Sequence, residues 1–463
     1  MRNAPSTWLQ RLNMEARPLK YLVEAVGGRL VHGAENTFFH RASADSRRVA
    51  PGDLFVALRG DRFDGHDYIA EVERRGAVAV LVDRPVETKC AVIEVDNTRI
   101  ALGKFATSYR RDYELPVIGI GGSNGKTTTK ALLAAILRRH FAAIWSEASF
   151  NNNIGVPLTL LRIENFHRAA VLELGTNHPG ELAPLVEMAA PRYGVITSIG
   201  REHLEFFSDV EGVAREEGVL GELLPASGKL FLYDDSQWSN QIEARSAAPT
   251  CIVGMDAGND WQADDVRVLH NGVVFNVNGP FPGEYRLRLL GRHQVGNALL
   301  AIAVAAELGV PVETIREGLA VCRPPQRRLQ MREVGGVRII DDAYNANADS
   351  VVAALEVLAD MPCEGRRIVV VGHMAELGEA TSEAHEEAAQ TAAALGLDVI
   401  FAVGPEAETV VSAARDAGMS VAEAFDGNAT AGQALSELVK AGDVVLLKAS
   451  RVAQLEEVGK YLI

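Results

Sequence analysis

Apolar residues in this chain come in short continuous runs separated by longer stretches with helical spacing, a pattern that predicts buried strands alternating with helices. Strands are expected at Leu54–Leu58, Ala77–Asp83, Ala91–Val95, Leu115–Ile118, Ala169–Leu174 and Tyr193–Ile199, then at Val337–Asp341, Ile368–Val371, Val399–Val403 and Val444–Leu447. Helices are expected at Pro18–Val26, Arg99–Tyr109, Ala131–Arg139, Ala298–Leu308, Ser350–Leu358, Glu383–Ala394, Ala407–Ala417 and Ala431–Leu438. Gly27-Gly28 and Asp96-Asn-Thr supply the stop and start signals of the first two helices. Strands alternating with helices argue for mostly parallel sheets covered on both faces.

At about 150 residues per domain, the 463 residues suggest three domains. A change of pattern near Asp96 and the Pro324-Pro325 linker place them at 1–95, 96–325 and 326–463. The fold class is therefore α/β: a small N-terminal α/β domain, a central mostly parallel sheet, and a C-terminal Rossmann-like domain. A net charge of −15 excludes a generic nucleic-acid binder, which needs a basic face. Cys90, Cys251, Cys322 and Cys363 are far apart and fit inert thiols in a reducing compartment. Residues 1–20 carry charges and lack an apolar run, so no signal peptide is expected. The run Ala298–Ala306 is too short for a membrane span. A cytoplasmic protein is the expectation.

The chemistry centres on Gly119–Lys130, GIGGSNGKTTTK, between a predicted strand and a helix. Glycines let backbone N–H groups turn toward a polyphosphate, and the helix points its positive end at the same anions. Lys126 adds charge for the β and γ phosphates, and the Thr127 hydroxyl suits Mg²⁺. Strict spacing would put glycine where Ile120 stands. Alone, the loop allows a kinase, a GTPase or a motor. Glu173 and His203 lie at or just past the ends of later strands, where open α/β sheets bind ligands. Thr127 and Glu173 suit Mg²⁺, whereas His203 suits a softer ion such as Mn²⁺ better. Further polar outcrops, Asp341-Asp-Ala-Tyr-Asn-Ala-Asn, Gly372-His-Met-Ala-Glu-Leu-Gly and Lys448-Ala-Ser-Arg, also follow predicted strands. Such clusters at the ends of two sheets predict a cleft site between domains.

GSNGKTTTK, Glu173-Leu-Gly, His203-Leu and Gly291-Arg-His-Gln-Val-Gly-Asn together resemble the Mur ligases of peptidoglycan synthesis. Asp45-Ser-Arg, Asn151-Asn-Asn-Ile-Gly-Val-Pro and Tyr344-Asn-Ala-Asn resemble the branch that adds a dipeptide. The resemblance implies an ATP-dependent ligase that joins D-alanyl-D-alanine to UDP-N-acetylmuramoyl-tripeptide through an acyl phosphate. It implies ATP and Mg²⁺ as cofactors, small-molecule partners only, and a monomer serving cell-wall biogenesis, and with it cell shape and division. By the same resemblance Gly121, Gly122, Ser123, Asn124, Gly125, Lys126, Thr127 and Thr128 hold the phosphates. His293 and Asn297 face adenine, Asp342 takes the ribose, and Arg328 reaches over the phosphates. Lys126, Glu173 and His203 are the catalytic set. Ser46, Arg47, Asn151, Asn152 and Thr176 contact the UDP-sugar-peptide, and Tyr344, Asn345 and Asn347 the dipeptide.

One position departs from the family pattern with consequence. Where the family commonly carries a carbamylated lysine as second-site metal ligand, this chain has Glu217. A carbamate is a carboxylate on a long stem, so Glu217 is expected to deliver the same charge unmodified and join Thr127, Glu173 and His203 as a metal ligand. Ser149, Gln294, Ala348, His373 and Ala449 are smaller departures that remove no group the phosphate chemistry needs. A related amide ligase, such as the Mur-type enzyme adding the third residue or a folylpolyglutamate synthase, is the nearest rival, and Tyr344-Asn-Ala-Asn argues against both. A nucleotide-dependent binding protein without catalysis is the rival of a different class.

Overall fold

The computed structural model describes residues 14–60, 63–234 and 237–462. The reading of the first thirteen residues, and of Asp61-Arg62 within the polar loop, lies outside the described residues. Among the described residues the larger sheets have five, nine and six strands and follow one another along the chain. The first runs Arg29–His32, Ala91–Glu94, Ala79–Val82, Leu54–Val56, Ala42–Ser43, with only its first pairing antiparallel. The third runs Gln330–Val334, Val337–Asp342, Val444–Lys448, Arg367–Gly372, Val399–Val403, Ala422–Phe425, again parallel after one antiparallel edge pairing.

The central sheet positions the site. Its strand Val117–Gly121 is paired in parallel with Ala169–Glu173 on one side and Tyr193–Ile196 on the other. Both neighbours therefore end beside the loop that follows Gly121, and helix Lys126–Leu137 leaves from it. Ile120 is fully buried in this strand, opposite Glu173 and Val195, which explains why an apolar residue stands there.

The expected strand–helix alternation does not hold through residue 325. Trp261–Leu269, Gly272–Asn278 and Gly283–Leu287 form an antiparallel meander on the sheet edge. Its first strand alternates buried Trp261 and Ala263 with exposed positions, a one-face pattern that the search for continuous apolar runs overlooks. The helix predicted from Ala131 begins at Lys126 instead. The predicted Tyr193–Ile199 strand stops at Ile196, because Thr197–Ile199 turn to bond the phosphate loop.

Helix Thr98–Arg111, capped by the Asn97 side chain, ties the first sheet to the second. Its Phe105 and Tyr109 are fully buried in a core that continues from Leu22, Phe39 and Ile93 to Leu172 and Leu185. The Tyr109 hydroxyl donates to the carbonyl of Ile163 at 2.6 Å, satisfying the polar end of a ring that could not otherwise be buried. The third sheet carries separate cores on its two faces, one around Leu355 and Ile400, the other around Phe401 and Leu435. Among the described residues no helix is long and apolar enough to cross a membrane. Cys90, Cys251 and Cys322 are buried and Cys363 half-buried, all as free thiols.

Candidate active site

The phosphate loop turns on two glycines. Gly122 has φ +106° and Gly125 φ +95°. A Cβ at Gly125 would stand 2.2 Å from Asn297 Oδ1, and one at Gly122 would stand 2.6 Å from Thr197 Oγ1. Only glycine fits either place. The loop is braced from the end of the neighbouring strand: Ser123 N–H donates to Ser198 O at 2.8 Å, and Asn124 N–H to Ser198 Oγ at 2.9 Å.

Lys126 folds back over this loop. Its ammonium contacts the carbonyl of Gly122, lies 3.3 Å from that of Ser123, and stands 3.5 Å from Glu202 Oε2. Burial opposes its charge, but Glu202, Glu217 and Glu173 together raise its pKa above the ordinary lysine value. Glu217 is fully buried, and its Oε2 accepts the Gly122 N–H at 2.6 Å. Its Oε1 has no hydrogen-bond partner. Burial pushes its carboxyl up to about 7 against the pull of Lys126.

Glu173 ends its strand 1 % exposed. One carboxylate oxygen accepts from Thr127 Oγ1 and Asn151 Nδ2, each at 3.1 Å, and the other meets Lys130 Nζ at 2.7 Å. Thr127, Glu173, Glu202 and Glu217 thus offer oxygen donors beside the Lys126 and Lys130 ammonium groups, the chemistry a hard divalent cation takes. The orphaned Glu217 oxygen is the observation in this structure that fits such an ion. Lys130, Glu202 and Glu216 escaped the sequence reading. Lys130 lies one helical turn after Lys126 and so on the same face, which was a usable signal. Glu202 and Glu216 offered none, being acids among many.

His203 sits in the left-handed region, φ +49°, with Nδ1 on Glu376 Oε2 at 2.5 Å and Nε2 3.9 Å from Glu202. Glu376 belongs to the third unit, so the histidine bridges units. Asn297 is buried, accepting from Thr129 Oγ1 at 3.2 Å and donating to Gln294 Oε1 at 2.9 Å. His293 contacts the Gln294 amide at 2.9 Å.

Across the cleft, Asp342 is held by Lys448 Nζ at 2.6 Å and by the Leu329 N–H at 3.0 Å. Arg328 stacks its guanidinium 4.5 Å from the centre of the Tyr344 ring. The Tyr344 hydroxyl reaches Ser149 Oγ of the central unit at 2.6 Å. Asn347 caps helix Ala348–Asp360 and also donates to Asn124 Oδ1 of the phosphate loop at 3.2 Å. Asn345 is exposed, and its carbonyl accepts from Lys448. The structure therefore brings the phosphate loop, Glu173, His203 and Glu217 together with Tyr344 and Asn347.

Ser46 and Arg47 lie apart from this centre, on a cavity of about 510 Å³ that also includes Phe55, Phe63 and Tyr68. Arg47 is exposed and paired with Asp45 at 2.9 Å. A neighbouring cavity of about 370 Å³, lined by Arg48, Glu147, Ser149 and Asn152, extends from there toward Ser149. Asn152 caps its own turn through the N–H of Gly155 at 3.0 Å. Thr176 is buried, and its hydroxyl donates to the carbonyl of His178 at 2.8 Å, beside Glu216.

Among the described residues, His373, His385 and Glu406 also gather ligand-type atoms within 4.8 Å of one another. His385 Nε2 already accepts the Met374 N–H at 3.1 Å, and its Nδ1 donates to the carbonyl of Thr381. With both nitrogens engaged, this group braces the Met374–Gly378 loop.

Comparison with known proteins agrees with this geometry. Family models match along the chain: the Mur ligase family catalytic domain over residues 39–110, the Mur ligase middle domain over 120–305, and the Mur ligase glutamate ligase domain over 327–451. The UDP-N-acetylmuramoyl-tripeptide–D-alanyl-D-alanine ligase of Escherichia coli K12 is 34% identical over 96% of this chain and 98% of its own length. The crystal structure of MurF from Acinetobacter baumannii superposes with a TM-score of 0.90 at 31% identity, covering 97% of this chain and 99% of that one. MurF ligase from Thermotoga maritima, solved in complex with ADP, superposes with a TM-score of 0.81 at 29% identity, covering 91% and 96%.

Proposed function

The chain belongs to the Mur ligase family, and from that premise we infer that it is the ATP-dependent amide ligase joining D-alanyl-D-alanine to UDP-N-acetylmuramoyl-tripeptide. The observation that carries this reading is the facing of two sets of groups. A phosphate loop with Lys126, Glu173 and Glu217 meets Tyr344 and Asn347 through the Ser149 and Asn124 hydrogen bonds. Near-full-length identity to the E. coli ligase supports the choice of substrates.

In the reaction, the tripeptide carboxylate attacks the γ-phosphorus of ATP. The new O–P bond forms as the bond to the bridging oxygen breaks, and ADP leaves. The amine of D-alanyl-D-alanine then attacks the acyl carbon, phosphate departs, and the amine proton is lost to solvent. The protein's share is positioning and charge neutralisation. Lys126 carries a full charge to the phosphates. Gly121 to Thr128 hold them: the N–H groups at the start of helix Lys126–Leu137 face the anions, while those of Gly122, Ser123 and Asn124 brace the loop on Glu217 and Ser198. Asn297 and His293 border adenine, Asp342 takes the ribose, and Arg328 covers the phosphates. Thr127, Glu173, His203 and Glu217 would hold Mg²⁺, which when bound would neutralise charge on the transferring phosphoryl group. Ser46 and Arg47 take the uridine nucleotide, and Asn151, Asn152 and Thr176 border the sugar-peptide. Tyr344, Asn345 and Asn347 receive the dipeptide.

Residues 1–95, 96–325 and 326–463 act as the UDP-sugar, ATP and dipeptide domains of a monomer in cytoplasmic peptidoglycan-precursor synthesis. The test is phosphate release with ATP, UDP-N-acetylmuramoyl-tripeptide and a panel of amino acceptors. Release with D-alanyl-D-alanine and not with glutamate or single amino acids is expected. Turnover with another acceptor, or none with the full set, overturns the reading.

A further inference from the structure

The short segment Gly200–His203, which leaves the strand beside the phosphate loop, makes the densest polar contact with the third unit. The Arg201 N–H donates to Asp349 Oδ2 at 2.6 Å, and its Nε to Asp349 Oδ1 at 2.7 Å. The two remaining nitrogens of the same guanidinium donate to the two oxygens of Glu387, at 2.6 and 3.1 Å. Asp349 lies in helix Ala348–Asp360, whose cap Asn347 touches Asn124, and Glu387 lies in helix Thr381–Ala394. All three side chains are 35% exposed. A lone pair at that exposure contributes little. One planar fork gripping two carboxylates on two helices fixes an orientation, which a lysine does not. Gly200 shows how close the approach is, since a Cβ there would lie 2.4 Å from Asp349 Oδ2. The next two residues are Glu202, beside Lys126, and His203, on Glu376.

We propose that Arg201 is a positioning residue for the ligase reaction: it docks the third unit so that Tyr344, Arg328 and the Asp342–Lys448 pair face the phosphate loop. It touches no reacting atom and acts through Asp349 and Glu387. The uridine and sugar-peptide contacts lie in the first and central units and do not depend on this clamp.

The test uses full-length protein carrying Arg201→Ala or Glu387→Gln. In small-angle scattering of the ligand-free protein at low salt, both variants show a larger radius of gyration than the wild type. In turnover, KM for D-alanyl-D-alanine rises about tenfold while KM for the UDP-tripeptide stays within about twofold. Arg201→Glu combined with Glu387→Arg recovers part of what Arg201→Glu loses. Should Arg201→Ala fail to fold, Glu387→Gln, at a half-exposed carboxylate on the other unit, carries both readouts. The proposal is overturned if scattering and both KM values match the wild type. It is equally overturned if all constants fall together with the melting temperature, as for a merely structural residue. The kinetic arm rests on the ligase reading; the scattering arm decides the clamp even if no acceptor supports turnover.

Discussion

A buried carboxylate beside a phosphate loop competes with the anions the loop is shaped to hold, so Glu217 needs a physical reason to be there. A cation arriving with the nucleotide supplies one: it would turn the unpartnered oxygen of Glu217 into a ligand. In the ligand-free protein the cost is visible as a pKa raised to about 7 from the usual 4.5. A carboxyl whose folded pKa is raised contributes stability that is complete below about 4.5 and is lost as the pH climbs to about 7. Glu217→Gln should therefore gain stability relative to the wild type across that window, read by denaturant unfolding at several pH values. The same variant should raise the Mg²⁺ concentration for half-maximal turnover by roughly tenfold or more. Lys130 behaves oppositely. Its pair with Glu173 is almost wholly buried, at 5% and 2% side-chain exposure, so Lys130→Met strands a charge. A loss of about 3–5 kcal/mol in urea unfolding is expected. Lys126 and Glu173 were legible because a motif and a strand end mark them, whereas Glu217, inside helix Val210–Glu222, was legible only through the family resemblance. Lys130 carried one local signal, its place a helical turn after Lys126, whereas Glu202 carried none, since its partner Lys126 lies far away in the chain.

At the scale of elements, the strand–loop–helix unit was legible because backbone conformation forces its sequence. Gly125 illustrates how tightly: its positive φ and the 2.2 Å approach to Asn297 penalise any side chain twice over. Gly125→Ala should destabilise by more than about 1 kcal/mol and weaken ADP binding at least tenfold, measured by unfolding and by nucleotide titration. A variant that binds ADP normally would show that the loop tolerates a shift of Asn297. The outer strands of the edge meander, Trp261–Leu269 and Gly283–Leu287, were illegible because each is wetted on one face and mixes charge with apolar residues, as in Val266-Arg-Val and Glu284-Tyr-Arg. The middle strand differs: Val273-Val-Phe is a buried apolar run and was a usable signal. Helix Ala348–Asp360 was found, but its cap carries a second duty. Asn347 satisfies the helix start and reaches Asn124, so this helix end is fixed by the phosphate loop as well as by its own turn.

The whole molecule divides by the kind of contact rather than by sequence boundaries. The first and central units share one apolar core through Phe105 and Tyr109, and separating them would expose those rings to water. The third unit keeps cores of its own, one of which takes in Leu290 of the central unit, and it otherwise meets the others through polar contacts at Arg201, His203, Asn124 and Ser149 that water and salt can replace. Two cooperative units follow, although three domains are visible in the sequence. Calorimetry of the ligand-free protein should resolve two transitions: one for residues 14–325 as a single unit, one for the third unit alone. On the proposed placement of the nucleotide between the units, saturating Mg²⁺ and ADP should raise both and draw them together, because a ligand stabilises whichever unit it touches. High salt without nucleotide should leave the first-and-central transition in place while the third unit's contribution uncouples further. A separate early transition for the first unit would mean that the Phe105–Tyr109 core does not couple it to the central sheet, and the clamp at Arg201 would then be only one of two mobile joints.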